Sequence, residues 1–271
     1  MTTRRSFLKQ SSLAASPFIL PSHIWAAKGD ASPNNRINVA IIGPGKMGRG
    51  HAHKLIRNPR AQVTGIAEIA EIRTKHTIDL IEKQYSRNAG SEQWKGLKVT
   101  KDYLELLEDK SLDAVLIATP DHWHGEPTIR AARAKKHVYC EKPISLTIKE
   151  GRAMANAVKE NKVVFQTGSQ QRTEYGGKFR RTVEMVRSGA IGELKKIRVC
   201  VGDPPIPCDL PTQAIPAGID WDAWQGPAPT RGYNKILCPD DVHNHFPAWR
   251  KYREYCNGKL ADMGAHHFDI G

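Results

Sequence analysis

The chain has 271 residues, 39% of them apolar, and carries a formal net charge of +13. That length suits one large domain or two. The basic residues are scattered along many predicted helices, with only short clusters such as Lys178-Arg180-Arg181 and no nucleic-acid motif beside them, so the charge reads as solvated surface and excludes nucleic acid as a partner.

Residues 1–27 read as a leader. Thr3-Arg4-Arg5-Ser6-Phe7-Leu8-Lys9 is a twin-arginine pattern, Leu13, Ala14, Ala15, Phe18, Ile19 and Leu20 supply an apolar middle, and Trp25-Ala26-Ala27 closes it. The pattern predicts export by the twin-arginine route to the periplasm. Loss of Arg4, Arg5 and Lys9 with the leader would bring the charge to about +10. No other segment is long and apolar enough to span a bilayer. Residues 28–35 are polar and read as a linker.

Strand and helix signals then alternate. Ile37 to Ile42 is an apolar run that predicts a buried strand. It leads straight into Gly43-Pro44-Gly45-Lys46-Met47-Gly48 and a predicted helix to Arg57. Strand, tight glycine turn and helix start is the layout in which backbone N–H groups hold a pyrophosphate. Val63 to Ala67 is the second strand, and the acidic Glu68 at its end lies 20 residues past Gly48, as a dinucleotide fingerprint requires. Further strands are expected at Val99–Thr100, Ala114–Ala118, His137–Cys140 and Val163–Thr167, with helices at Ile69–Gln84, Tyr103–Leu107, Pro127–Ala134 and Thr147–Asn161. Thr147 with Glu150 three residues on has capping-box spacing. This alternation predicts a doubly wound parallel sheet, the Rossmann arrangement, over residues 36–169.

Near residue 170 the rhythm changes. Gly177 to Arg187 reads as a helix, and Leu194 to Val201 alternates like an antiparallel strand. Residues 203–248, rich in Pro, Asp and Trp, lack periodicity and are too long for an ordinary connection. They read as an insertion that shapes a site. A last helix is expected from about Asp262. One strand cannot close a second core, so residues 170–271 are expected to begin an incomplete domain of a longer protein. The five cysteines, Cys140, Cys200, Cys208, Cys238 and Cys256, show no C-x-x-C spacing, which argues against zinc. Cys140 reads as a buried small hydrophobe, and pairing among the others stays open.

Four motifs in order resemble the Gfo/Idh/MocA family, that of glucose–fructose oxidoreductase and inositol dehydrogenase: GPGKMG at 43–48, ATPDHWH at 118–124, EKP at 141–143 and DMGAHHFD at 262–269. The stretch Asp220-Trp221-Asp222-Ala223-Trp224-Gln225-Gly226-Pro227 resembles its exported, sugar-active members. The resemblance implies an N-terminal NAD-binding Rossmann domain and a C-terminal α+β domain with a mostly antiparallel open sheet, truncated here. It also implies hydride transfer between nicotinamide and a secondary hydroxyl of a sugar or polyol, in a full-length homo-oligomer.

That reaction needs a base for the hydroxyl proton and a cation near the oxygen. Lys142, at a strand's C-terminal end, is the candidate cation and by resemblance meets both substrate and nicotinamide. His266 is the candidate base, and Asp262, four residues earlier, would share its helix face. His267, one residue on, points about 100° away and is assigned to substrate. Gly43, Gly45, Lys46, Met47 and Gly48 would hold the pyrophosphate. Glu68 would accept the ribose hydroxyls and favour NAD over NADP, with Arg73 close enough to weaken that preference. Thr119, Pro120 and His122 resemble the loop along the cofactor, His122 also facing substrate, with His124 starting the next helix. Glu141 resembles the residue on the nicotinamide side, and Pro143 takes the cis form in this family. Gln166 to Arg172 would line the pocket floor, with Arg172 free for substrate. His122 and His124 have no carboxylate cluster beside them, so no metal is expected.

Three functions stand open at this level. The first is a sugar or polyol dehydrogenase. The second is a glycosidase that oxidises its sugar transiently and keeps its NAD tightly bound, which suits export because free dinucleotide is scarce outside the cytoplasm. The third is a non-catalytic sugar-binding protein.

Overall fold

The computed structural model describes residues 35–89 and 94–271. The leader at 1–27 and the export route read from it lie outside the described residues, as does most of the linker.

Six parallel strands form one sheet. β1 (Ile37–Ile42) pairs with β2 (Ala61–Ala67) on one side and β4 (Ala114–Ile117) on the other, and the full order is β3-β2-β1-β4-β5-β6 with β3 at Lys98–Thr100, β5 at His137–Cys140 and β6 at Phe165–Thr167. The register is tight: Ile42 lies opposite Ala67 and Ile117, and Ile117 opposite Cys140. Strand order reverses between β1 and β4, which opens a crevice at the strands' carboxyl ends.

Period-2 alternation explains why the sheet is covered on both faces. Ala40, Ile42, Val115 and Ile117 enter one apolar cluster with Leu106, Leu107, Val138 and Cys140. Val39, Ile41 and Leu116 enter another with Ala52, Val63, Ile66 and Ile81. The crossover helices are α1 (Lys46–Leu55), α2 (Glu71–Ala89), α3 (Leu104–Leu107), α4 (Gly125–Arg133) and α5 (Ile148–Asn161). Thr147 caps α5: its hydroxyl accepts from Glu150 N at 3.2 Å, and its N–H donates to Glu150 Oε2 at 2.9 Å.

Beyond residue 170 come α6 (Lys178–Arg187), α7 (Trp221–Gln225), α8 (Gly258–Asp262) and α9 (Gly264–Ile270). The antiparallel strand expected at 194–201 is not formed. Its alternation is right, but no described strand pairs with it, and Leu194 and Ile197 stay about half exposed. Among the described residues, in place of a second sheet there are two isolated bridges, Ala70–Ile219 and Ile206–Tyr252. The stretch at 203–248 is not patternless once folded. Trp221, Trp224, Tyr233 and Leu237 pack with Trp249, Tyr252 and Tyr255 into a third buried cluster. Trp221 stacks on Trp224 with centroids 4.8 Å apart, and Tyr233 meets Trp221 edge-on. The last helix starts at Gly258, four residues before Asp262, and breaks at Met263. All five cysteines are free. Residues 37–271 pack as one unit, and among the described residues no helix is long and apolar enough to cross a membrane.

Candidate active site

The glycine turn sets the crevice floor. Gly43 has φ +77°, and a Cβ there would lie 2.8 Å from Thr119 Cγ2. A Cβ on Gly48 would lie 2.5 Å from Gly43 O. Both glycines are therefore required by close packing between β1, α1 and the loop after β4. Gly45 differs, because nothing lies within 4 Å of the place a Cβ would take. Its backbone stands open at the N-terminus of α1, where amide donors and the helix dipole favour an anion. Thr119 Oγ1, on the opposite lip, is buried and has no hydrogen-bond partner. An open glycine, a helix N-terminus and an orphaned hydroxyl on one crevice fit a dinucleotide.

The crevice holds about 310 Å³, and residues 203–250 contribute Asp220, Trp224, Pro239, His243, Phe246 and Arg250 to its wall. Lys46 and Met47 line it near Gly45, and Glu68 lines it at the end of β2. Glu68 is buried and does not stand alone: its Oε1 accepts from Ala70 N at 3.0 Å and from Arg73 Nε at 3.2 Å. Burial works against the Arg73 charge, but Glu68 and Cys238 together outweigh it and Arg73 is held above its ordinary value. The carboxylate is thus aimed by a guanidinium before any ligand arrives.

At the other end Lys142 Nζ donates to Asp262 Oδ1 at 2.8 Å and to Asp262 O at 2.7 Å. Lys259 Nζ reaches Asp262 Oδ2 at 3.0 Å, and Arg250 Nε stands 3.7 Å from Oδ1. Burial raises the Asp262 carboxyl, but Lys142 and its companions outweigh burial and hold it below the usual carboxylate range. Asp262 therefore grips cations with both carboxylate oxygens, and its charge reaches His266, whose pKa it raises against the larger effects of burial and Lys142. Among the described residues His266 Nδ1 is buried without a hydrogen-bond partner. Burial, and next the charge of Lys142, lower the pKa of this imidazole. Lys142, Asp262 and His266 are not among the residues that line the crevice; Arg250, which does line it, stands next to Asp262. The Lys142–Pro143 bond is cis.

Four residues are placed differently from expectation. His122 does not line the crevice; the turn of 3₁₀ helix at Asp121–Trp123 carries Trp123 there instead. His122 is buried against Trp224 and Tyr255, its Nε2 lies 2.9 Å from Trp224 O, and burial pushes its pKa down to about 4. Glu141 turns away from the crevice to meet His51 of α1 at 2.6 Å and Gln170. Arg172 is exposed and held by a bidentate pair with Asp269, 2.7 Å for its Nε, so it is not free for substrate. His267 directs Nδ1 to Cys200 O at 3.1 Å. His124 starts α4 as expected, with Nδ1 2.5 Å from Pro143 O and Nε2 2.9 Å from Thr119 O, which ties the loops after β4 and β5 together.

Sequence reasoning missed Trp123, Trp224, Arg49, His51 and Arg250. Trp224 carried a signal in the Trp-rich stretch. Trp123, Arg49 and His51 pair with residues about 90 or more positions away, and no local spacing marks them. Among the described residues no group of three His, Cys, Asp or Glu side chains is placed to hold a metal ion.

Comparison with known proteins agrees with this geometry. A family model described as "Oxidoreductase family, NAD-binding Rossmann fold" matches residues 37–169, and its companion "Oxidoreductase family, C-terminal alpha/beta domain" matches residues 206–270. The chain is 33% identical to a myo-inositol 2-dehydrogenase of Thermotoga maritima over 176 residues, covering 64% of this chain and 48% of that one. It is 26% identical to a glycosyl hydrolase family 109 protein of Stenotrophomonas maltophilia over 244 residues, 82% of this chain and 49% of that one. The crystal structure of a myo-inositol 2-dehydrogenase from Lactobacillus plantarum superposes with a TM-score of 0.50 at 25% identity, over 58% of this chain and 43% of that one. The chain spans about half the length of the curated relatives it matches. Two companion matches that together take in most of the residues from β1 to α9 place the chain in the Gfo/Idh/MocA oxidoreductase family, with an NAD-binding Rossmann fold at its core.

Proposed function

We propose that this chain belongs to an enzyme that oxidises a secondary hydroxyl of a sugar or polyol, with NAD held at the glycine turn. Bound nicotinamide supplies the hydride acceptor. The protein's share is to position the alcohol carbon and to take its hydroxyl proton. His266 takes the proton at Nδ1. That atom is buried, partnerless and of lowered basicity, so the neutral imidazole is ready at neutral pH. Lys142 steadies the oxygen as negative charge develops, and Asp262 fixes the ammonium by two hydrogen bonds. The products are a ketone on the sugar carbon and a proton on His266. The observation that carries this reading is the partnerless His266 Nδ1 beside the Lys142–Asp262 pair. Similarity to myo-inositol 2-dehydrogenases supports a polyol substrate. The twin-arginine pattern at residues 3–9 supports export.

The test is NADH formation by the full-length protein over a panel of polyols and sugars. His266→Ala is expected to lower kcat/KM by about 10²- to 10⁴-fold, with nucleotide affinity kept. Unchanged turnover in that variant removes the base role.

Similarity to a glycosyl hydrolase family 109 protein over 244 residues favours a second reading. In it the ring hydroxyl would give its proton to the same base and its hydride to bound NAD, the neighbouring C–H would lose its proton, the glycosidic group would leave, water would add to the double bond so formed, and the hydride would return. Release of aryl alcohol from aryl glycosides without net NADH distinguishes it.

A further inference from the structure

Three cationic side chains cross from the sheet half to one segment of the insertion. Arg49, on α1, donates from Nη2 to His243 O at 2.5 Å and from Nη1 to Pro44 O, in the glycine turn, at 3.5 Å. Arg73, on α2, donates from Nη1 to Pro239 O at 2.8 Å. Lys46, first residue of α1, sits over the Phe246 ring, 4.1 Å from its centroid. Both guanidiniums are buried, at 5% and 4% exposure. The segment they hold lines the crevice through Leu237, Cys238, Pro239, His243 and Phe246.

Two buried guanidiniums are an expensive way to fix a loop, since a buried charge is costly unless compensated. Compensation here is incomplete. Glu68 pairs with Arg73, whereas among the described residues Arg49 bonds only to carbonyl oxygens. Burial and the neighbouring Arg73 charge hold Arg49 below its ordinary pKa, against attraction from Glu68 and Asp241. Among the described residues Arg49 therefore holds a positive charge that no carboxylate hydrogen-bonds, beside the glycine turn, and an anion there would balance it. A diphosphate supplies that anion, and it would lie between the turn and the segment that Arg49 bridges.

We infer that residues 237–247 form a clasp, pinned by Lys46, Arg49 and Arg73, that closes over the diphosphate of the dinucleotide and makes its release slow. The inference rests on the reading of the crevice as the NAD site, and it adds a second wall that the glycine turn alone does not supply. Release requires the arginine–carbonyl bonds to open. An enzyme so built completes its redox cycle on one retained cofactor more readily than it exchanges cofactor with solution.

The test is displacement kinetics. Full-length protein is loaded with NADH and chased with excess NAD, and the fall of bound NADH fluorescence gives the release rate. Arg49→Met keeps the unbranched stem, removes the guanidinium, and leaves Glu68 and Arg73 in place. It is expected to speed release about 10- to 100-fold, the size of one lost hydrogen bond to a charged donor. Phe246→Ala, at an exposed position, is expected to speed it about two- to five-fold through the lost cation–π contact. Release from Arg49→Met at the wild-type rate, in protein that still melts cooperatively, overturns the clasp while leaving the NAD site standing. If Arg49→Met does not fold, Phe246→Ala decides, and an unchanged rate there overturns the clasp. Failure of the wild-type protein to bind NADH at all overturns the clasp and the site together.

Discussion

β1 buries Val39 and Ile41 on one face and Ala40 and Ile42 on the other, and its backbone is bonded on both sides. The segment from Gly202 to Tyr255 has no such ladder. It is held by stacked indoles, by Arg231 donating to Cys208 O and Leu210 O, and by the arginines that reach in from α1 and α2. The first half is a rigid platform whose order repeats every two residues. The second is a wall fixed at a few points, each irreplaceable by its neighbours. The crevice lies along their seam. One side is therefore preformed, and the other side's position depends on single side chains.

The sharpest way to break this contrast is to remove a fixed point. Trp224 is 6% exposed, stacks on Trp221 and touches His122 and Tyr255. Trp224→Ala is expected to cost about 3–5 kcal/mol. The loss should fall on the wall: hydrogen exchange should speed up across residues 203–256 while amides of β1, β4 and β5 keep most of their protection. Uniform loss of protection through both halves would show that the platform and the wall unfold as one.

A milder perturbation is acid. His122 joins the halves through Trp224 O, its Nδ1 is buried with no partner, and its pKa in the fold is lowered from 6.5 to about 4. A lowered pKa means that the unfolded chain takes up the proton first as pH falls. The stabilisation is complete above about pH 6.5 and is lost as pH drops toward 4, with a limiting slope of about 1.4 kcal/mol per pH unit. His243 and His266 are lowered too and titrate in the same direction, so the comparison must be with His122→Gln. Urea midpoints taken between pH 7 and 4.5 should fall less steeply in that variant. Parallel slopes would mean that His122 does not join the two halves in this way.

How far the sequence could be read follows the same seam. The strand–glycine–helix order at 37–55, the capping box at Thr147 and Glu150, and the placing of Lys142 at a strand end all depend on neighbours a few residues away, and each was legible. Side chains whose partners lie far off in sequence were not. Arg172 looked free for substrate because Asp269, 97 residues on, was invisible as its partner. Glu141 looked available to nicotinamide because nothing in EKP points to His51, 90 residues earlier. His122 was displaced from the crevice by one position, since a 3₁₀ turn rotates the chain faster than an α-helix and presents Trp123. Asp262 and His266 have helical spacing, but both Asp262 oxygens go to lysines, Lys142 from 120 residues earlier and Lys259.

The smallest expected change tests the platform's own floor. Gly43 and Gly45 look alike in a G-x-G pattern, yet their surroundings differ. Alanine at Gly43 must hold φ near +77° with Thr119 Cγ2 at 2.8 Å, a strained backbone and a contact with no room to yield. Gly43→Ala should therefore cost about 1–3 kcal/mol of stability by urea unfolding, even with no nucleotide present. Gly45 has φ −66° and empty space around its missing Cβ, so Gly45→Ala should leave the urea midpoint nearly unchanged. Its added methyl would instead stand where the diphosphate approaches the backbone, and the loss should appear as weaker NADH binding. If Gly45→Ala binds NADH as the wild type does, the open face of that glycine is not where the dinucleotide lies. The arginine clasp would then have to be reconsidered as a brace between the halves.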